Sequence, residues 1–140
     1  MTHKQVAYVL LRITMGAVFL FYGVDKFIMG RAAVAGGIMQ EFDKTFLPHA
    51  LVALFVNVLP FLEVILGACV LLGLLTTITL GLLTALMAVL TVGQVITLNA
   101  GIVANNLTYS IILFLLLFFV EHNAFCLDQL WTKQDRRAAT

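Results

Sequence analysis

Two ionisable residues lie inside long apolar stretches of the sequence, Arg12 and Glu63. An ionised side chain deep in a membrane costs about 2.5–3.5 kcal/mol on insertion scales, so such residues usually face the bundle interior and pair. Counted from the side of the termini at 1.5 Å per residue, Arg12 lies about 10 Å deep and Glu63 about 15 Å deep. We therefore predict a buried Arg12–Glu63 ion pair, which either holds two helices in register or forms a charged floor for a substrate or proton site.

A second group of polar residues falls near the helix ends on the membrane face away from the termini. Asp25, Asn57 and Asn106 lie beside this group. If the bundle brings these side chains together, they can hydrogen-bond a quinone headgroup or dock a partner subunit. Ordinary interfacial polarity is the simpler explanation. A histidine in this group could relay a proton near neutral pH. The candidate cofactor-binding residues are Tyr22, Lys26, His49, Gln94, Asn105 and Tyr109.

The sequence predicts neither a metal site nor a haem site, because its three histidines do not cluster. No nucleophile–base arrangement is evident. Cys69 and Cys126 form no CxxC motif, which weakens a dithiol-exchange interpretation. Both cysteines fall toward the side of the termini, so a disulfide is conceivable. Reduced thiols fit better if that side is cytoplasmic.

Small residues recur at helical spacing within the apolar stretches. Glycine on a helix face lets a neighbouring helix or a flat ligand approach closely, and close helix packing is the simpler of these explanations. The predicted helix-packing glycines are Gly16, Gly23, Gly67 and Gly73.

The composition requires a membrane environment for these residues. Of 140 residues, 62% are hydrophobic and 11% are charged, against about 45–50% and about 25% in soluble domains. A spanning helix needs about 20 apolar residues. Four segments qualify, which predicts one all-α domain, an integral membrane four-helix bundle with helices at about 6–27, 51–74, 77–98 and 102–120.

The connecting segments are unequal. The first connection, residues 28–50, mixes apolar and charged residues and is predicted to be a partly helical interfacial segment, although an ordinary loop explains it nearly as well. The tail, residues 121–140, is predicted to contain a short interfacial helix anchored by Trp131. Arg12 interrupts the apolar run of the first helix, which favours a retained helix over a cleaved signal peptide.

The charge distribution predicts the orientation. Lys4 and three basic residues of the tail lie on one side of the membrane, against Lys26, Arg31 and Lys44 on the other. The positive-inside rule therefore favours cytoplasmic termini in the inner membrane. The formal net charge of +1 gives no reason to expect a nucleic-acid partner.

Two stretches resemble DoxX-like membrane proteins. LRITMGAVFLFYGVDKF, residues 11–27, is similar to the opening of that family, and FLEVILGACVLLGLLT, residues 61–76, is similar to its second helix. The resemblance implies a link to redox metabolism, since the related DoxD subunit belongs to thiosulfate:quinone oxidoreductase. The residues that match the family motifs are Arg12, Gly16, Gly23, Lys26, Glu63, Gly67 and Gly73.

Three functions are compatible with these patterns. The first is a membrane subunit of redox metabolism that touches a quinone, a partner oxidoreductase or both, with any electron chemistry supplied by a bound cofactor. The second is a non-catalytic anchor or assembly subunit of a larger complex, and a homo-oligomer is also possible. The third is a small proton-coupled transporter that uses Glu63.

Overall fold

A computed structural model describes residues 2–124 and 126–127, and all regular structure in this part of the chain is helical. The predicted all-α membrane bundle is confirmed, since four of the helices are long and apolar enough to cross a bilayer. Most of the tail, including Trp131 and its predicted interfacial helix, lies outside the described residues. The helices are α1 (His3–Ile28), α2 (Arg31–Phe42), α3 (His49–Leu72), α4 (Thr76–Ile96) and α5 (Ala100–Phe118), and a 3₁₀ turn follows at Val120–His122.

Local signals explain where the helices begin and end. Thr2 caps α1 in a capping box with Gln5, so two backbone N–H groups at the helix start are satisfied. Gly73 ends α3 with a φ of 69°, a left-handed conformation in which glycine carries no steric penalty. Leu75, with a φ of 45°, then starts α4 after a very short turn. The tight α3–α4 turn makes these two helices antiparallel neighbours.

The bundle is built from two helix pairs. α1 packs along α3, and α4 packs along α5, while α3 also contacts α4 and joins the two pairs. α5 meets α1 at only a few points. The interface between the pairs is filled by fully buried apolar side chains, among them Val70, Leu80, Leu83, Leu113 and Leu116.

The outer surface of the bundle is strongly apolar. Phe21 of α1 is 70% exposed and Ile78 of α4 is 60% exposed, and large apolar side chains project outward from all four long helices. A continuous apolar surface on that scale is the lipid-facing surface of a membrane bundle. The chain is therefore a multi-pass membrane protein.

The first connection contains α2, which packs mainly against α3. None of its residues is buried, although Ile38 and Phe42 approach the main bundle. The helix itself agrees with the partly helical segment expected from the sequence. Its position at the membrane interface stays a prediction.

Candidate functional site

The carboxylate of Glu63 is bound by the ammonium group of Lys26. The Glu63 side chain is 6% exposed, and that of Lys26, in the last turn of α1, is 21% exposed. Phe27 and Phe61 stack edge to face beside this ion pair, and the guanidinium of Arg31 lies 4.7 Å from the centre of the Phe61 ring. The end of α1 is thus fastened to α3 by one ion pair and one aromatic cluster.

Arg12 lies in a second polar network, near the other end of α1. Its side chain is buried, and its Nη1 donates a hydrogen bond of 2.7 Å to Oδ1 of Asn123. The Nδ2 of Asn123 donates in turn to Oγ1 of Thr76, at 2.9 Å. Arg12 also lies against Gly73, where an added Cβ atom would collide with Nη1. The network ties the segment after α5 to α1 and to the α3–α4 turn.

The predicted Arg12–Glu63 ion pair must therefore be corrected. Arg12 lies beside Gly73, which is ten residues beyond Glu63 along α3. At 1.5 Å per residue, this separation is about 15 Å, too far for a direct contact. The prediction placed the start of α1 level with the end of α3. In the structure, the first residues of α1 extend beyond the end of α3, because Arg12 already lies beside Gly73. Lys26 takes the place that had been assigned to Arg12.

Three of the four predicted packing glycines, Gly16, Gly23 and Gly67, lie where α1 and α3 come into close contact, whereas the fourth, Gly73, ends α3 beside the Arg12 side chain. A Cβ on Gly16 would lie 2.5 Å from the backbone nitrogen of Leu71, and a Cβ on Gly67 would lie 2.5 Å from that of Leu20. Gly23 faces the backbone of Val64 in the same way, at 2.8 Å. Backbone atoms cannot move aside as a flexible side chain can, so these positions admit no larger residue without separating the helices.

The predicted cofactor-binding residues do not form a single cluster of mutual contacts. The hydroxyl groups of Tyr22 and Tyr109 lie 3.3 Å apart and bridge α1 to α5. Nδ1 of His49 lies 3.6 Å from Oδ1 of Asp43, and both side chains are largely exposed. Asn105 is exposed at the start of α5. The Tyr22–Tyr109 contact, the His49–Asp43 contact and the Lys26–Glu63 ion pair therefore share no residue with one another.

Gln94 lines an apolar cavity of about 310 Å³ between α2, α3 and α4. Its Oε1 accepts a hydrogen bond of 3.3 Å from the Thr97 hydroxyl. A Cβ on Gly93, the preceding residue, would lie 3.4 Å from the ring of Phe42 and project into this space. The remaining lining residues are apolar: Ile38, Leu47, Leu51, Val52, Phe55, Val56, Leu59, Val89, Leu90, Val92 and Ile96.

Asn123 and Thr76 were not candidate site residues from the sequence, and Arg31 counted there only as a charge for the orientation, although each has a defined polar or aromatic contact. Asn123 carried one usable signal, its place at the end of the short polar stretch at 121–123 that follows a long apolar helix. Within residues 2–124 and 126–127, no group of three or more His, Cys, Asp or Glu residues could hold a metal ion. Cys69 and Cys126 are both free thiols.

Comparison with known families replaces the DoxX-like resemblance. A model of the family described as "Methylamine utilisation protein MauE" matches residues 4–105, which is most of the chain and spans nearly all of α1 together with α2, α3 and α4. The DoxX-like identification is therefore wrong, because MauE is a different membrane family. No curated protein and no solved structure matches the chain. The four-helix membrane architecture and the match across α1 to α4 lead to one conclusion: the chain belongs to the MauE family of membrane proteins.

Proposed function

We propose that this chain is a membrane subunit of methylamine-linked redox metabolism and that it binds a membrane quinone between α2, α3 and α4. Membership of the MauE family supports the metabolic setting. The cavity of about 310 Å³ with Gln94 in its wall is the observation that supports quinone as the ligand.

The lining residues fit a quinone in size and in chemistry. Small-molecule pockets measure about 300–1,000 Å³ and are mostly apolar and aromatic, with a few placed polar groups. Phe42 and Phe55 offer aromatic rings against which a quinone ring or a prenyl tail can pack. The amide nitrogen of Gln94 can donate a hydrogen bond to a quinone carbonyl oxygen.

The position of the cavity suits a ligand that arrives through the bilayer. Leu47 and Leu51 line it at the start of α3, and Gln94 and Ile96 line it at the end of α4, so it lies near one membrane face. Neither residue of the Lys26–Glu63 ion pair lines the cavity. The bound quinone would accept electrons from a partner oxidoreductase, while this chain's residues hold and orient it.

The test measures bound quinone per mole of protein after purification in mild detergent, by solvent extraction and mass spectrometry. Gly93→Leu fills the cavity, whereas Gly81→Leu, on the same helix, adds its side chain where nothing lies within 4 Å of the new Cβ. We expect at least a tenfold loss of quinone in Gly93→Leu and none in Gly81→Leu. Equal quinone content in the two variants, or none in the wild type, would contradict the proposed site.

A second candidate function is a non-catalytic anchor or assembly subunit for a partner oxidoreductase. It is favoured because the interior charged groups make contacts within the protein, Lys26 with Glu63 and Arg12 with Asn123. Charges used in this way stabilise the bundle and leave the redox chemistry to a partner. This function predicts that a partner co-purifies with the chain and stays bound in Gly93→Leu.

We further infer that the chain lies in the cytoplasmic membrane with its termini on the cytoplasmic side. Lys4 at the start of α1, together with the basic tail, supports this orientation through the positive-inside rule. Reporter fusions test it: a cytoplasmic reporter is expected to be active at either terminus, and a periplasmic reporter to be active within the α1–α3 connection. The opposite pattern would reverse the assignment.

A further inference from the structure

A second crevice opens on the other side of the bundle, between the beginning of α1 and the end of α5. Its volume is about 470 Å³. It shares no residue with the cavity between α2, α3 and α4, so a ligand in one does not occupy the other. The crevice is lined by Lys4, Ala7, Tyr8, Leu11, Leu115, Leu116, Phe119 and His122.

The floor of the crevice offers an apolar surface. The Tyr8 hydroxyl, the polar atom at this depth, donates a hydrogen bond of 2.9 Å to the backbone carbonyl oxygen of Leu116. Tyr8 therefore presents its ring to the crevice, beside the aliphatic side chains of Leu11 and Leu115. A surface of this kind receives a hydrocarbon chain and gains about 0.8 kcal/mol for each CH₂ group that it buries.

Two nitrogen-bearing side chains stand at the rim. Lys4 is exposed in the second residue of α1, and the half-buried His122 follows α5. Nδ1 of His122 lies 3.6 Å from Oε1 of Glu121, whose side chain is 77% exposed. Lysine is a cation, and imidazole donates an N–H in either protonation state. The rim can thus bind an anionic oxygen.

We propose that this crevice binds one anionic phospholipid from the leaflet that meets the start of α1. An acyl chain lies against Tyr8, Leu11 and Leu115, and the phosphate group contacts Lys4 and His122. The charge at the rim, together with the apolar length below it, favours a lipid over a free phosphate ion, which would use the rim alone. Basic groups above helix-lined apolar grooves bind lipid headgroups by the same combination of forces.

The test uses the whole purified chain with equimolar phosphatidylglycerol and phosphatidylcholine carrying identical acyl chains, and native mass spectrometry counts the retained lipids. We expect the wild type to retain one phosphatidylglycerol preferentially. Lys4→Gln should weaken that preference about fivefold, the ratio for about 1 kcal/mol of attraction per basic residue. Lys44→Gln removes the same charge in the exposed turn after α2, so it should leave the preference unchanged.

A second variant tests the apolar part of the site separately. Ala7→Phe fills the crevice from an exposed position of α1, and it should reduce the retention of both lipids at least fivefold. Equal retention of the two lipids by the wild type would overturn the proposal, as would equal losses in Lys4→Gln and Lys44→Gln. Undiminished lipid retention in Ala7→Phe would show that any bound lipid lies elsewhere on the surface.

Discussion

Replacing Gly67 by alanine should destabilise the bundle more than its single added methyl group suggests. The new Cβ would lie 2.5 Å from the backbone nitrogen of Leu20 and 2.9 Å from its Cα. Ordinary van der Waals contact begins at 3.4 Å, so α1 and α3 must separate by about 0.9 Å at this point. Overpacking of this kind costs about 1–3 kcal/mol.

The assay is equilibrium unfolding in mixed detergent micelles, followed by circular dichroism. Gly81→Ala is the matched control, because the same change on α4 meets nothing within 4 Å and favours the helix slightly. We expect the free energy of unfolding to fall by about 1–3 kcal/mol in Gly67→Ala and to hold or rise in Gly81→Ala. If both variants are equally stable, the close α1–α3 approach does not exist as described.

Two further predictions concern the polar contacts. Glu63→Gln leaves the Lys26 ammonium without its carboxylate partner and should lower the free energy of unfolding by about 1–3 kcal/mol. The loss should be smaller than for a fully buried ion pair, because the Lys26 side chain is 21% exposed and can reach the interface. Lys26→Met combined with Glu63→Gln should recover most of that loss, and a double-mutant cycle without coupling would contradict the pairing. Asn123→Ala removes the acceptor of the Arg12 hydrogen bond and should cost about 1.5–3 kcal/mol. Asn105→Ala, at an exposed position, should cost almost nothing, and equal losses would exclude a structural role for Asn123.

The fold could be predicted because bilayer thickness sets the length of a spanning helix. The segment predicted at 51–74 corresponds to α3 (His49–Leu72), and that at 102–120 corresponds to α5 (Ala100–Phe118), each displaced by two residues at either end. Apolar run length alone is enough for this result. The capping residues outside the apolar runs explain the small displacements, as Thr2 does for α1.

The ion pair could not be predicted because it depends on the axial offset between two helices. Periodicity places Arg12 and Lys26 on the same face of α1, so it does not decide which of the two meets Glu63. The glycine contacts set the offset, since Gly16 and Gly23 pack against Leu71 and Val64. That registration brings Lys26, and not Arg12, to Glu63. Packing geometry of this kind arises only once the helices are assembled.

The polar residues on the second face were grouped in the sequence analysis because they share a membrane level. Level alone does not determine contact, because the residues lie on different sides of the bundle. Tyr22 and Tyr109 contact each other between α1 and α5, whereas Gln94 faces the cavity beside α2. Of this group, Gln94 is the residue that the proposed quinone site retains.

The most direct test of the central proposal is methylamine-dependent quinone reduction in membranes from a strain whose own copy of this gene is deleted. The strain is complemented in parallel with the wild type, Gly93→Leu and Gly81→Leu, each checked for equal expression. A quinone-binding subunit of methylamine-linked redox metabolism predicts that the wild type and Gly81→Leu restore the rate and that Gly93→Leu does not. Full restoration by Gly93→Leu, or an undiminished rate in the uncomplemented strain, would contradict it.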